Sequence, residues 1–269
     1  MAIVTISRES GSGGEDVAKA VAKKLGYDYV SKESIYKEIE EHGKKWLEWV
    51  SELDEHAPTI WERFDKSYAG YLALVEHCIY KAATRNNVVI LGRGGNWLLK
   101  EIPYAIRIRI IGAPEDRARK LSERLGIDME TARKKLKFRD HERFVYLQRA
   151  YRRDWTNPND YDITINTSHM GFDESVDRIL SEIPAKDRLA IPENQEMVRR
   201  LELASRVKAD IITRFPLYLP TLDVVHDGGS IVLRGVALCT TEQLKKLLET
   251  AKTSAGTTRI RSELVARGA

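Results

Sequence analysis

Apolar positions along this chain follow two rhythms. The runs Ile3–Ile6 and Val88–Leu91 and the alternating segment Ile106–Ile111 have the length and β-branched content of strands. Between them apolar residues recur every three to four positions, as Val17, Val21 and Leu25 do, which is the stripe of an amphipathic helix. A short strand is expected at Tyr27–Val30, and Ser31 is a suitable N-cap for the helix that follows. Helical spacing continues over about 44–85, with a break expected near Pro58. Pro114 suits the first turn of a helix reaching Leu125, and Asp128 caps a long basic helix. Asp162–Asn166 reads as the last strand of this region and Asp173–Ile183 as its last helix. Such alternation predicts a parallel sheet with helices on both faces.

The pattern changes after Pro184–Pro192, a stretch with two prolines and little periodicity. A helix from Glu193 to about Arg214 precedes two alternating segments joined at Asp227-Gly-Gly, a hairpin signal. A helix from Thr241 to about Lys252 and a strand over Thr258–Val265 complete an α-β-β-α-β unit. The expected organisation is an α/β domain at 1–183, a linker at 184–192 and a small domain at 193–269.

Candidate chemistry begins where the first strand meets the first helix. Ser10-Gly-Ser-Gly-Gly14 has the composition of a loop whose backbone N–H groups cradle phosphate at a helix N-terminus. A complete loop reads G-x-x-x-x-G-K-[ST]. Anchored on Gly13, its first Gly is Arg8 here, its Lys is Gly14 and its hydroxyl residue is Glu15. Two readings follow: a phosphate cradle lacking two of its chemical groups, or a tight turn with no ligand. Gly92-Arg-Gly-Gly95 lies at the end of another strand, on the side of a parallel sheet where ligands bind.

Composition narrows the class without deciding it. Apolar residues make up 42% of the chain and charged ones 31%, ordinary for a globular protein with a real core. No apolar run approaches the ~20 residues of a membrane span, and no secretory leader is legible. Cys78 and Cys239 lie in no metal-like spacing, so reduced thiols and a cytoplasmic location are expected, and the histidines form no zinc pattern. The net charge of +4 is too mild to predict nucleic-acid binding. It arises entirely in residues 188–269, with 13 Lys+Arg against 9 Asp+Glu, because residues 1–187 hold 31 of each. The densest basic stretch, Arg133–Arg153, carries nine cations; taken by itself it reads as a solvated helix face.

Four segments in order, Ile6–Gly14, Leu91–Asn96, Ala113–Arg117 and Asp154–Ser168, resemble the cytidylate kinase-like proteins, relatives of the nucleoside monophosphate kinases. The resemblance covers about residues 1–183. It implies a P-loop kinase-type five-stranded parallel sheet, ATP and Mg²⁺ as cofactors, and CMP or dCMP as acceptor. It assigns Arg8, Ser10, Gly11, Ser12, Gly13, Gly14 and Glu15 to the donor loop, where Glu15 either faces phosphate or serves the helix N-terminus. Arg93 matches an acceptor-reading Arg, with Gly94 replacing the family's Asp, and its other reading is a strand-end salt bridge. Lys37 matches an acceptor-helix cation loosely, and its other reading is a solvated surface side chain. Arg139, Arg143, Arg149, Arg152 and Arg153 are the candidate lid arginines, with Arg139, Arg143 and Arg153 expected on one face and Asp140 as a possible anchor. Tyr151 and Trp155 read as core or hinge packing, and Trp46 with Trp49 as helix packing.

The last 80 or so residues resemble a BON domain, in element order and in Asp227-Gly-Gly and Val232-Leu-Arg-Gly235. That implies a regulatory or docking module with possible protein or anionic-lipid contact, and Gly235 at a strand end. The functional expectation is an ATP-dependent nucleoside monophosphate kinase. Its alternative is a weak or inactive nucleotide-binding sensor signalling through the C-terminal unit.

Overall fold

A computed structural model describes residues 1–43, 46, 66–215, 219 and 221–267. By compactness the chain forms two units. One holds residues 1–35 and 85–194; the other holds the described residues between 36 and 84 together with those from 195 onward.

The first unit is built on five parallel strands in the order β2-β3-β1-β4-β5. They are β1 (Ile3–Arg8), β2 (Asp28–Val30), β3 (Val88–Leu91), β4 (Ala105–Ile111) and β5 (Ile163–Asn166). Strand alternation sorts the side chains to two faces. Val4, Ile6, Val89, Leu91, Ile106, Ile108 and Ile110 bury against Val17, Ala18 and Val21 of α1 (Gly14–Leu25), and against Val176 and Ile179 of a later helix, Phe172–Leu180. On the opposite face Thr5 and Ile90 approach Gly95 in the short helix Gly95–Leu98. The P-loop kinase-type sheet expected from sequence is therefore present.

Strand order decides where a ligand can enter. From β1 the chain leaves toward β2, and from β3 toward β4, in opposite directions along the sheet. Adjacent strands whose connections diverge leave a crevice at their carboxyl ends. Both glycine segments stand at that crevice.

The remaining helices are α2 (Lys32–Glu40), α3 (Lys66–Thr84), α4 (Gly95–Leu98), α5 (Pro114–Leu125), α6 (Met129–Tyr151), α7 (Phe172–Leu180), α8 (Ile183–Asp187), α9 (Pro192–Arg214) and α10 (Thr241–Ala255). Pro114 occupies the first turn of α5, and the Asp128 carboxylate accepts the Thr131 N–H at the start of α6, as expected. In the stretch 184–192, α8 runs on to Asp187 and α9 begins at Pro192. Of the helical region expected over about 44–85, α3 covers Lys66–Thr84; residues 44–65, with Trp49 and the break at Pro58, lie outside the described residues apart from Trp46, which is buried.

In the second unit β6 (Asp223–Asp227) pairs antiparallel with β7 (Ser230–Leu238), which pairs parallel with β8 (Arg259–Arg267). With α9 and α10 this is the expected α-β-β-α-β order. Gly228 and Gly229 both adopt positive φ, 56° and 79°, as a two-residue hairpin turn requires. Gly235 falls inside β7 rather than at its end, with φ 122°, because a Cβ there would overlap the Thr221 carbonyl.

Within this unit α3 is joined to α9. Lys208 Nζ lies 2.9 Å from Glu76 Oε2, and Ser205 Oγ 3.5 Å from His77 Nδ1. Burial pushes His77 down to about 4, so it is neutral at physiological pH. A fragment ending at Ile183 keeps the parallel sheet but uncovers this face of α3. It is expected to melt below the full chain and to bind an apolar dye; equal melting temperatures would show that α3 needs no cover from α9.

Candidate functional site

The loop after β1 is held open from outside by ionic groups. Asp140 on α6 accepts the Ser10 N–H at 2.8 Å and pairs with Arg117 of α5 at 2.6 Å. Arg117 also donates to the Ser10 carbonyl at 2.9 Å and the Gly112 carbonyl at 3.0 Å. Glu9 faces Arg117 at 3.4 Å and Arg109 at 3.5 Å, and accepts the Gly112 N–H at 3.2 Å. From the end of β5 the Thr167 hydroxyl donates to the Ser12 carbonyl at 2.8 Å. These partners come from the segments named above, from the end of β4 with Gly112, and from the basic helix α6, which the fold brings to one place.

Inside this frame Gly11 and Gly13 turn the backbone with φ of 76° and 77°, a region that costs L side chains. The N-cap of α1, Gly13, has no side chain to cap it; the Gly14 N–H donates to Ser12 Oγ at 3.4 Å, while those of Glu15 and Asp16 have no intrahelical partner. Glu15 is turned to Lys19, one helical turn along at 2.7 Å, and is more than half exposed. Gly14 is pressed against Arg8: a Cβ at position 14 would stand 2.6 Å from Arg8 Cβ.

A cavity of about 260 Å³ opens at the ends of β1 and β3. Arg8, Lys32, Arg93, Arg139 and Arg143 line it, with Glu142 as its one carboxylate among the described residues. Ser7, Asn96 and Tyr146 add polar groups. Arg93 sits at φ 57°, its guanidinium 4.9 Å from the centre of the Tyr146 ring. Arg143 Nη1 donates to the Arg8 carbonyl at 2.6 Å, and its guanidinium lies 5.6 Å from the Trp155 ring. The clustered charges show in the proton affinities. Burial, then Arg93, lowers Arg8; burial, then Arg8, lowers Arg143; burial, then Arg93, pushes Lys32 down to about 8.

The expected site residues are thus sorted by position. Arg8, Arg93, Arg139 and Arg143 converge on the cavity. Arg149, Arg152 and Arg153 do not line it. The expected single face for Arg139, Arg143 and Arg153 fails because α6 ends at Tyr151, where Arg152 takes a left-handed φ of 54°. Lys37 is exposed on α2 and is not among the cavity residues; Lys32, one turn earlier, is. Sequence reading missed Lys32, Glu142 and Tyr146, which carried no motif; only their helical spacing from known positions pointed inward. Gly94 is explained by packing, since a Cβ there would overlap the Tyr151 ring, whose hydroxyl donates to the Arg93 carbonyl at 2.6 Å.

Comparison with known proteins gives a consistent answer for the first two-thirds of the chain. The cytidylate kinase-like family matches residues 3–169. A cytidylate kinase of Ignicoccus hospitalis is 30% identical over 181 residues, covering 66% of this chain and 97% of that protein. One from Archaeoglobus fulgidus is 27% identical over 183 residues, covering 68% and 95%. A crystal structure of an uncharacterized protein from Eubacterium ventriosum superimposes with a TM-score of 0.53 at 28% identity, over 68% of this chain and 98% of that one.

Removing the Asp140 carboxylate leaves the Ser10 N–H and the Arg117 guanidinium without their shared acceptor. Asp140→Ala is expected to cost about 2 kcal/mol of unfolding free energy, the scale of a charged hydrogen bond, measured by urea denaturation. A loss below about 0.5 kcal/mol, the scale of an exposed ion pair, would show that the loop is held without it.

Proposed function

Because the chain belongs to the cytidylate kinase-like family, we propose that it transfers a phosphoryl group from ATP to a nucleoside monophosphate, with CMP or dCMP as acceptor. The observation that carries this reading is the cavity at the ends of β1 and β3, beside the Ser10–Gly14 loop that follows Arg8, where among the described residues five cations and one carboxylate line the wall. Phosphoryl transfer asks a protein mainly for position and positive charge around the moving group, not for a general base.

Residue roles follow from position. The Ser10–Gly14 backbone and the open α1 N-terminus hold the donor phosphates. Arg93 grips the acceptor phosphate from the end of β3, where the fork of a guanidinium matches paired oxygens. Arg139 and Arg143, carried on α6, neutralise the transferring group. The glycine turns and the uncapped helix fit a phosphate chain. For Mg²⁺ the chain offers less: Glu15 stands at the usual hydroxyl position, and no group of three His, Cys, Asp or Glu side chains suited to a metal occurs among the described residues. Mg²⁺ would be held mostly by phosphate oxygens and water, as is common for this ion, and would neutralise phosphate charge.

The C-terminal unit we read as a BON-like docking or regulatory module; its α-β-β-α-β order supports this. Among the described residues no helix is long and apolar enough to cross a membrane. Any lipid contact of this unit would therefore be made at the surface, through its mild positive charge. A cytoplasmic site of action accords with nucleotide substrates.

Purified protein with ATP, Mg²⁺ and a panel of nucleoside monophosphates is expected to release ADP fastest with CMP or dCMP. Binding of ATP or CMP with no turnover on any acceptor would favour the sensor instead; no binding of either would remove both. In the same assay Arg139→Ala and Arg143→Ala are expected to lower kcat by roughly tenfold or more, as contacts made to the transition state do. Arg149→Ala, Arg152→Ala and Arg153→Ala should stay within about twofold of wild type, because these residues lie off the cavity. Equal losses across all five would mean that the cavity is not where transfer occurs.

Lys32 gives a pH signature. Its folded value is lowered to about 8, so it is cationic below that pH and neutral above. A bound phosphate favours the cation and raises the value again. Anion binding near pH 8 should therefore take up protons, and affinity should fall as pH rises through that range. Calorimetry in buffers of different ionisation enthalpy measures the uptake, and Lys32→Gln should abolish it. Unchanged uptake in that variant would assign the proton elsewhere.

A further inference from the structure

The loop's two departures from the complete phosphate-binding pattern, Arg8 for its first Gly and Gly14 for its Lys, are in contact with each other. A Cβ at position 14 would meet Arg8 Cβ at 2.6 Å, Arg8 Cγ at 3.2 Å and Ile110 Cβ at 3.2 Å. Helix α1 therefore has no room for a side chain at its first residue while Arg8 keeps its present path. That path continues to the loop after β3, where a Cβ on Gly92 would stand 2.5 Å from Arg8 Nη1. The Arg8 side chain thus runs from the start of α1, past one side-chain-free position, to a second one at the neighbouring strand end. It comes out among the residues that line the cavity.

The Arg8 guanidinium is placed for a partner that the described residues do not supply. Among the described residues no carboxylate lies within ion-pair distance of it, whereas Arg107, Arg109 and Arg117 each have one. Its backbone, in contrast, is fixed, with its carbonyl accepting from Arg143 at 2.6 Å. A cation anchored at its root, lacking an ion pair and opening into a cavity with four other cations is stabilised by an anion.

We propose that Arg8 is the loop's phosphate-binding cation: threaded between Gly14 and Gly92, it delivers from the first loop position the positive charge that a complete loop carries at position 14. The two substitutions are then one exchange, in which an Arg at position 8 requires a Gly at position 14. This rests on the reading of the loop as a donor-phosphate site. The ligand class is a polyphosphate chain, free or as part of a nucleoside triphosphate.

Calorimetry with inorganic triphosphate and with ATP, both without Mg²⁺, tests this on the full-length protein, with a thermal melt of each variant. Arg8→Ala is expected to lose at least tenfold in affinity for both ligands. Gly14→Lys is also expected to lose affinity, because its side chain collides with Arg8. The double variant Arg8→Gly/Gly14→Lys, which restores the complete pattern at both positions, is expected to regain most of the loss. A merely structural Arg8 would not be rescued by a charge at position 14. Wild-type affinity in Arg8→Ala, or a folded double variant no better than either single one, would overturn the proposal while leaving the donor site standing. Absence of triphosphate and ATP binding in the wild type would remove the donor site itself.

Discussion

The ion pair between Arg117 and Asp140 is the contact on which the site depends. A phosphate cradle needs backbone N–H groups left open, and a glycine-rich loop has little side-chain packing to keep it in one shape. Here the shape is imposed from outside. Arg117 and Asp140 take the Ser10 carbonyl and N–H respectively, and Glu9 draws Gly112 and two arginines to the same place. These side chains are 20% exposed or less. They are screened far less than surface pairs such as Glu15–Lys19 or Arg133–Glu115, each of whose members is about half exposed or more. The pair also ties α5 and α6 to the loop they stand over, so the proposed lid and cradle share one joint.

Inside that frame the balance of charge reverses. The frame has its carboxylates matched to arginines, whereas among the described residues the cavity wall holds five cations and the carboxylate of Glu142, with Asp140 of the frame 3.6 Å from Arg143. Burying cations, and then bringing like charges together, costs free energy, and the proton affinities of Arg8, Arg143 and Lys32 are lowered by burial first and by their neighbouring arginines second. Arg93 adds a left-handed backbone conformation, which a β-strand end does not need and which costs on the order of 1 kcal/mol or more. A site with strained backbone and neighbouring like charges favours a multiply charged anion, and its neighbouring frame carries the compensating ion pairs.

Much of this was legible in the chain itself. The β1–loop–α1 unit, the strands at 88–91 and 106–111, the caps at Pro114 and Asp128, and the Asp-Gly-Gly hairpin follow from local chemistry. Each depends on residues a few positions apart. The glycine loop between β1 and α1 was legible too, as composition at that junction, and so were Arg93, Arg139 and Arg143 as candidates.

What only the tertiary structure decided concerns residues far apart in sequence. The distance between Gly14 and Arg8 is short in the chain, yet their mutual exclusion depends on where the Arg8 side chain runs, and that depends on Gly92 across the crevice. Arg153 separates from Arg139 and Arg143 because α6 stops two residues before it, a fact of backbone geometry at Arg152 that composition does not encode. Lys32 displaces Lys37 as the cavity's lysine for a similar reason: one helical turn decides which end of α2 meets the strand ends. The sequence by itself determined the elements and the kind of chemistry, since both rest on local propensity and charge type. Which cations meet, and that Gly14 is the space left for one of them, was settled by packing, because side-chain volume and direction are properties of the assembled sheet and helices rather than of any segment.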